Sequence, residues 1–201
     1  PYTEHSRRYL LSEGIDGKTI FVTGSPMREV LRDHMEQILA SDVLERLRLQ
    51  KEKYILLSAH REENIDNESN FMSLMNAVNR IAERYQMPVI YSTHPRSRKF
   101  IEQRDFAFHP LVQSMKPFGF LDYNKLQMNA YCVLSDSGTL SEESAMLGFA
   151  GVLVRTSTER PEVLDKGTVV IGGITGDDVE QALDLAVAMR QNHEETVMAE
   201  D

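Results

Sequence analysis

Residues 131–143 read Tyr131-Cys132-Val133-Leu134-Ser135-Asp136-Ser137-Gly138-Thr139-Leu140-Ser141-Glu142-Glu143. Tyr131–Ser135 has strand character, and it runs through a small, hydroxyl-rich turn into a helical pattern. A strand that feeds a helix in this way is the unit of a parallel sheet, because parallel strands need a crossover. Gly138 lets the backbone approach a ligand closely. Free amides at the helix start, together with the helix dipole, favour an anion such as phosphate. Ser137 and Thr139 add hydroxyl donors. Glu142 or Glu143 suits the positive end of the helix, and a carboxylate there can accept two ribose hydroxyls, one per oxygen. The same letters also describe a well-capped helix with a Ser/Thr–Glu capping pattern. The turn is neither a P-loop nor a G-x-G-x-x-G motif.

Outward from this turn, short apolar runs alternate with amphipathic stretches. Strands are expected at Ile20–Thr23, Tyr54–Ser58, Val89–Ser92, Leu111–Gln113, Val152–Arg155 and Thr168–Ile171. Most are rich in Val, Ile and Leu without clean alternation, which suits strands covered on both faces. Over 66–85, Phe71, Leu74, Met75, Val78, Ile81 and Tyr85 recur at three- and four-residue steps and mark a long helix. Val179, Leu183, Ala186 and Val187 mark another. Ser25 before Pro26 reads as a helix N-cap. The alternation predicts an α/β fold, a doubly wound parallel sheet of Rossmann type. A charged run over 45–53 suggests a soft boundary, with a leading segment of residues 1–50 and a main domain of residues 51–201.

Ligands of such sheets sit beyond the carboxyl ends of the strands. After Tyr54–Ser58 comes Ala59-His60-Arg61-Glu62-Glu63-Asn64. His60 is placed to contact phosphate or shuttle a proton; a histidine satisfied by backbone at a loop start fits the same position. After Val89–Ser92 comes His94, followed by Arg96, Arg98 and Lys99. A phosphate-facing edge is one reading, but Arg96 and Lys99 fit a solvated helix start better. Arg160, before Pro161, could clamp a diphosphate or pair with Glu159 or Glu162. Over 116–123, aromatic residues precede a helix, and such residues can stack a base. Core packing fits Phe118 and Phe120 better than Tyr123. No metal-ligand pattern, nucleophile elbow or carboxylate acid/base couple stands out.

The bulk numbers set limits. The chain has 201 residues, a net charge of −9 and 41% hydrophobic residues. A chain of this length buries roughly two thirds of its unfolded surface, so it needs no disulfide or metal staple. An acidic chain repels nucleic acid and anionic lipid, so a phosphate needs a local site. The one cysteine, Cys132, suits a reducing, cytoplasmic compartment. The apolar runs are too short for a membrane span. The opening Pro1-Tyr2-Thr3-Glu4 reads like the middle of a longer protein.

Taken together, Ser58-Ala59-His60-Arg61-Glu62-Glu63-Asn64, the turn at 135–143 and Thr158-Glu159-Arg160-Pro161-Glu162 resemble the non-hydrolysing UDP-N-acetylglucosamine 2-epimerases. So does the opening through Thr23-Gly24-Ser25-Pro26, and the resemblance covers essentially the whole chain. It implies a GT-B fold of two Rossmann-like domains, of which this is the C-terminal half; residues 1 to about 25 would be the last helix and strand of a missing N-terminal domain. The implied reaction is C2 epimerisation of a UDP-2-acetamido sugar by anti elimination and re-addition of UDP, without metal or NAD. The resemblance places His60 beside the reacting sugar and its phosphate, as a catalytic residue. It places Tyr123 at the uracil, Ser137 and Gly138 at the diphosphate, Glu143 on ribose, Arg160 in the Thr-Glu-Arg-Pro-Glu motif and His94 near the nucleotide or an effector. Many members read His-Arg-Arg-Glu-Asn where this chain has His60-Arg61-Glu62-Glu63-Asn64. The strings 116–127 and 155–160 are more similar to a capsule and O-antigen branch acting on UDP-2-acetamido-2,6-dideoxy-L-talose to give UDP-N-acetyl-L-fucosamine. The resemblance further implies a homodimer at full length and an inactive isolated half, since the residues for C2 proton transfer lie in the other domain. A glycosyltransferase of the same GT-B type and a non-catalytic UDP-binding module are the other readings.

Overall fold

The computed structural model describes residues 1–155 and 169–200, with side chains to residue 192 in the last helix. The chain forms two compact units, Pro1–Glu36 and Gln37–Asp201. The division precedes the charged run at 45–53.

In the first unit, helix α1 (Glu4–Ser12) is capped by Thr3, whose hydroxyl accepts from the Ser6 amide. The hydroxyl of Ser25 accepts from the Met27 amide at 3.3 Å, and helix α2 spans Met27–Ala40. The cap read from Ser25-Pro26 is therefore present, with Pro26 just ahead of the helix. The strand expected at Ile20–Thr23 does not form. A strand needs a neighbour to complete its backbone hydrogen bonds. Among its described residues this unit has no other strand, and Phe21 stays 74% exposed.

The second unit contains α3 (Val43–Arg46), β1 (Ile55–Ser58), α4 (Glu62–Ile65), α5 (Glu68–Tyr85), β2 (Val89–Ser92), α6 (Pro95–Gln103) and β3 (Val112–Met115). It continues with α7 (Phe120–Asn129), β4 (Cys132–Ser135), α8 (Leu140–Leu147), β5 (Gly151–Leu153), β6 (Val169–Ile171) and α9 (Gly176–Glu200). The six strands are parallel, in the order β3-β2-β1-β4-β5-β6. This is a doubly wound, Rossmann-like sheet.

Both faces are covered, which is why the strand sequences do not alternate in polarity. Ile55 and Leu57 of β1 face a core shared with Phe71, Leu74, Met75 and Val78 of α5 and with Val179, Leu183 and Ala186 of α9. Tyr54 and Leu56 face the other core, with Val43, Leu126, Leu140 and Phe149. The stripe read over 66–85 is thus the buried face of α5, which starts at an Asn67 cap accepting from the Asn70 amide. Gly172 is required by close approach: a Cβ there would lie 2.4 Å from Val152 Cγ1 and 3.0 Å from Ala182 Cβ. Around the α5–α9 contact, Arg80 pairs with Asp177 and Glu180, and Arg84 with Glu180 and Asp184. These exposed pairs orient the helices more than they stabilise them.

Cys132 is a free, fully buried thiol on the central strand β4, and burial pushes its pKa up to about 12. Among the described residues, no helix is long and apolar enough to cross a membrane.

Leu74 is fully buried between sheet and helix. Leu74→Ala is expected to lower unfolding stability by about 3 kcal/mol through lost burial and a residual cavity. Urea unfolding of both proteins measures this, and a change under 1 kcal/mol contradicts the packing described.

Candidate functional site

Strand order reverses direction at β1 and β4. Chain from β1 continues toward β2, and chain from β4 toward β5 on the opposite side. Loops that part in this way leave a crevice beyond the strand ends. Ser58 and Ser135 are the last paired residues. The segments that follow them, Ala59-His60-Arg61 and Asp136-Ser137-Gly138, therefore meet at the crevice.

Asp136 joins the two loops. It is fully buried, and its Oδ2 accepts from the backbone amides of His60 and Arg61, each at 2.9 Å, and from Asn64 Nδ2 at 3.2 Å. Asn64 Nδ2 also donates to the Val154 carbonyl at 2.9 Å, so the β5 end is tied in as well. Asp136 Oδ1 makes no hydrogen bond among the described residues but lies 3.4 Å from His60 Nδ1. A carboxylate there favours the proton on Nδ1, which leaves Nε2 of a neutral His60 as an acceptor. The His60 side chain is 44% exposed, so it stands at the wall of the crevice.

His94 joins His60 from the next strand along. It caps α6, its Nδ1 accepting from the Arg96 amide at 3.2 Å. An accepting Nδ1 puts the proton on Nε2, making that nitrogen a donor. The two imidazole rings lie 5.7 Å apart. Of the cations after His94, Arg96 is paired with Glu62 and Asp66. Arg96 holds the Asp66 carboxyl below its ordinary range. Arg96 thus belongs to an exposed helix face, as its sequence suggested. Arg61 takes the place nearer the turn, its guanidinium 3.9 Å from where a Cβ on Gly138 would lie.

Over 135–143, the hydroxyls and Glu143 form a directed chain. Thr139 Oγ1 donates to Glu143 Oε1 at 2.8 Å. Its single proton is thereby used, so the 2.9 Å contact between Ser137 Oγ and Thr139 Oγ1 has Ser137 as the donor. Gln127 Nε2 donates to Glu143 Oε2 at 2.6 Å. This corrects two expectations. Thr139 and Ser137 are not spare hydroxyl donors, because both protons run toward Glu143. Nor does the capping box form: Thr139 occupies the N-cap of α8 without a side-chain cap bond, its hydroxyl going instead to Glu143.

Gly138 has no internal need to be glycine. Its φ is not in the left-handed region, and an added Cβ would meet only the Arg61 guanidinium at 3.9 Å. A fold that tolerates a side chain yet lacks one leaves open backbone beside the crevice. Tyr123 on α7 is partly exposed as a residue, but its hydroxyl end is buried. That burial, then the Glu143 and Asp136 charges, raises the phenol pKa, while the Ser58 and Ser135 hydroxyls pull it down. Tyr123 therefore stands as a neutral phenol at the strand ends. Phe118 packs against the core beneath, whereas Phe120, expected to be in the core, is the first residue of α7 and is 41% exposed. Arg160 and its motif lie outside the described residues. Among the described residues, no group of His, Cys, Asp and Glu could hold a metal.

The chain matches the family of UDP-N-acetylglucosamine 2-epimerase over residues 1–201. It belongs to that family. UDP-N-acetylglucosamine 2-epimerase of Methanocaldococcus jannaschii is 28% identical over 200 residues, 94% of this chain and 54% of the relative. The structure of UDP-N-acetylglucosamine 2-epimerase from Rickettsia bellii superposes with a TM-score of 0.82 at 38% identity, over 93% of this chain and 50% of that one. That of the Methanocaldococcus jannaschii UDP-GlcNAc 2-epimerase in complex with UDP-GlcNAc and UDP gives a TM-score of 0.84 at 27% identity, over 92% and 53%. The chain spans about half the length of these 2-epimerase relatives.

The structure thus gathers His60, His94, Tyr123, Ser137, Gly138, Thr139 and Glu143 at the carboxyl ends of β1, β2 and β4. It adds Asp136, Arg61, Asn64 and Gln127, which the sequence reading passed over. Asp136 had a signal, an acidic residue directly after an apolar strand. Asn64 and Arg61 stood inside one quoted string and Gln127 at the end of another, all without a role. Arg155, read as the end of a strand, is buried and pairs with Glu63 at 3.1 Å.

Gly138→Ala tests the open backbone. Its folding stability is expected to stay within about 1 kcal/mol of wild type, since Ala fits the conformation. Binding of a nucleoside diphosphate is expected to weaken at least tenfold, by roughly 1.4 kcal/mol or more. Calorimetry of both proteins reads both quantities, and unchanged binding contradicts close ligand approach at this turn.

Proposed function

We propose that this chain is the nucleotide-binding, C-terminal half of a UDP-2-acetamido-sugar 2-epimerase, with residues 1–50 as the end of an N-terminal domain and its linker. The observation that carries the reading is the crevice between β1 and β4. There an open glycine backbone, the Arg61 guanidinium and a doubly held Glu143 lie side by side. Membership of the 2-epimerase family supports it, as does the similar fold of a relative solved with UDP-GlcNAc and UDP.

In this reading the Gly138 turn and Arg61 take the diphosphate, with the amide and guanidinium as donors. Glu143 accepts the ribose hydroxyls. His94 offers Nε2–H toward phosphate. His60, in its imidazolium form with Nδ1–H beside the Asp136 carboxylate, donates its Nε2 proton to the diphosphate oxygen as the C1–O bond breaks and takes it back as that bond reforms. The resemblance to the 2-epimerases assigns removal of the C2 proton to groups of the N-terminal domain, and in this reading the isolated chain binds UDP without turnover. Arg160 is proposed as a further diphosphate ligand. The capsule-type sugar, UDP-2-acetamido-2,6-dideoxy-L-talose, is proposed beside UDP-GlcNAc as a substrate.

Calorimetric titration with UDP, and with AMP as control, tests the nucleotide half: UDP binding is expected and selective. Equal affinity for AMP, or none for UDP, contradicts it. Glu143→Gln is expected to weaken UDP by roughly tenfold, the size of a hydrogen bond to a charged group, and to weaken 2′-deoxy-UDP less. In a two-domain protein, His60→Asn is expected to lower kcat roughly a hundredfold with little change in UDP affinity. An unchanged kcat returns His60 to a structural role.

A further inference from the structure

Gln127 closes the string 116–127, where the sequence assigns it no role. It lies on the buried side of α7, 1% exposed, next to Leu126, which packs into the apolar core. Its Nε2 donates to Glu143 Oε2 at 2.6 Å. A carboxylate only accepts, so the partner fixes which end of the amide faces it. The amide oxygen, Oε1, then has no hydrogen-bond partner among the described residues. A buried acceptor without a partner destabilises the fold, and an apolar side chain of the same shape would avoid that cost. Folding alone does not account for a glutamine here.

Its effect falls on Glu143. Thr139 Oγ1 holds Oε1 at 2.8 Å while Gln127 holds Oε2. With a donor on each oxygen, the carboxyl group is fixed about its terminal bond. Its remaining lone pairs then point in a set direction, matched to two adjacent hydroxyls rather than one.

We propose that Gln127 is a specificity-determining positioning residue, which with Thr139 locks the Glu143 carboxylate so that it selects a ribose diol over a deoxyribose. The inference rests on Glu143 being the ribose carboxylate.

Gln127→Met keeps length and volume while removing both the donor and the orphaned oxygen. The thermal midpoint of the variant is expected to equal or exceed that of wild type. The ratio of UDP to 2′-deoxy-UDP affinity is expected to fall roughly three- to tenfold, the weight of a hydrogen bond, with deoxy-nucleotide affinity nearly constant. An unfolded variant makes Gln127 structural and overturns the inference, as does an unchanged ratio of UDP to 2′-deoxy-UDP affinity. Glu143→Gln measured in parallel separates the two claims. If it abolishes the preference for UDP while Gln127→Met retains it, the ribose reading stands and the role of Gln127 falls. If Glu143→Gln itself leaves the preference intact, both fall.

Discussion

Three donors converge on one oxygen of Asp136, and the site depends on them. The amides of His60 and Arg61 and the side chain of Asn64 all end there. The loops after β1 and β4 diverge by topology, and a diverging pair has no reason to hold a common shape. A buried carboxylate between them supplies that reason. It fixes the backbone of the histidine loop, sets its other oxygen beside His60 Nδ1 and leaves the Ser137-Gly138 turn as the floor of the crevice. Without that oxygen, the two loop amides and the buried Asn64 side chain would lose a shared acceptor.

Around this tie, the direction of the protons sets the chemistry. His94 spends Nδ1 on its own helix cap, which turns Nε2–H outward. The hydroxyl protons of Ser137 and Thr139 run to Glu143. The turn's backbone, the two imidazoles and the unused lone pairs of Glu143 line the crevice beside the Arg61 guanidinium. That set matches a diphosphate joined to a diol. The sheet beneath, covered by α5 and α9 on one face and by α3, α7 and α8 on the other, is the rigid mount for it.

The sequence made much of this legible, for a physical reason. Strands covered on both faces are continuous apolar runs, so β1, β2 and β4 stand out, and their ends locate the loops. The α5 stripe of Phe71, Leu74, Met75, Val78 and Ile81 could be read because burial on one face imposes its period. What failed depends on partners distant in sequence. Ile20–Thr23 has strand composition but no neighbour in its own unit. Phe120 looked like core and is exposed, because a residue's place at a helix start is set by where the helix points. Thr139 matched a capping pattern and serves Glu143 instead. Asp136 and Gln127 act across 76 and 16 residues, respectively, and no local pattern announces a contact of that kind.

The central claim is that the crevice beyond β1 and β4 is where UDP binds. Amide NMR of the labelled chain during addition of UDP tests it most directly. Shifts are expected to concentrate at residues 60–61 and 136–143, with smaller ones near Tyr123 and His94. Shifts confined to the far side of the sheet, or an unchanged spectrum at saturating UDP, would contradict it.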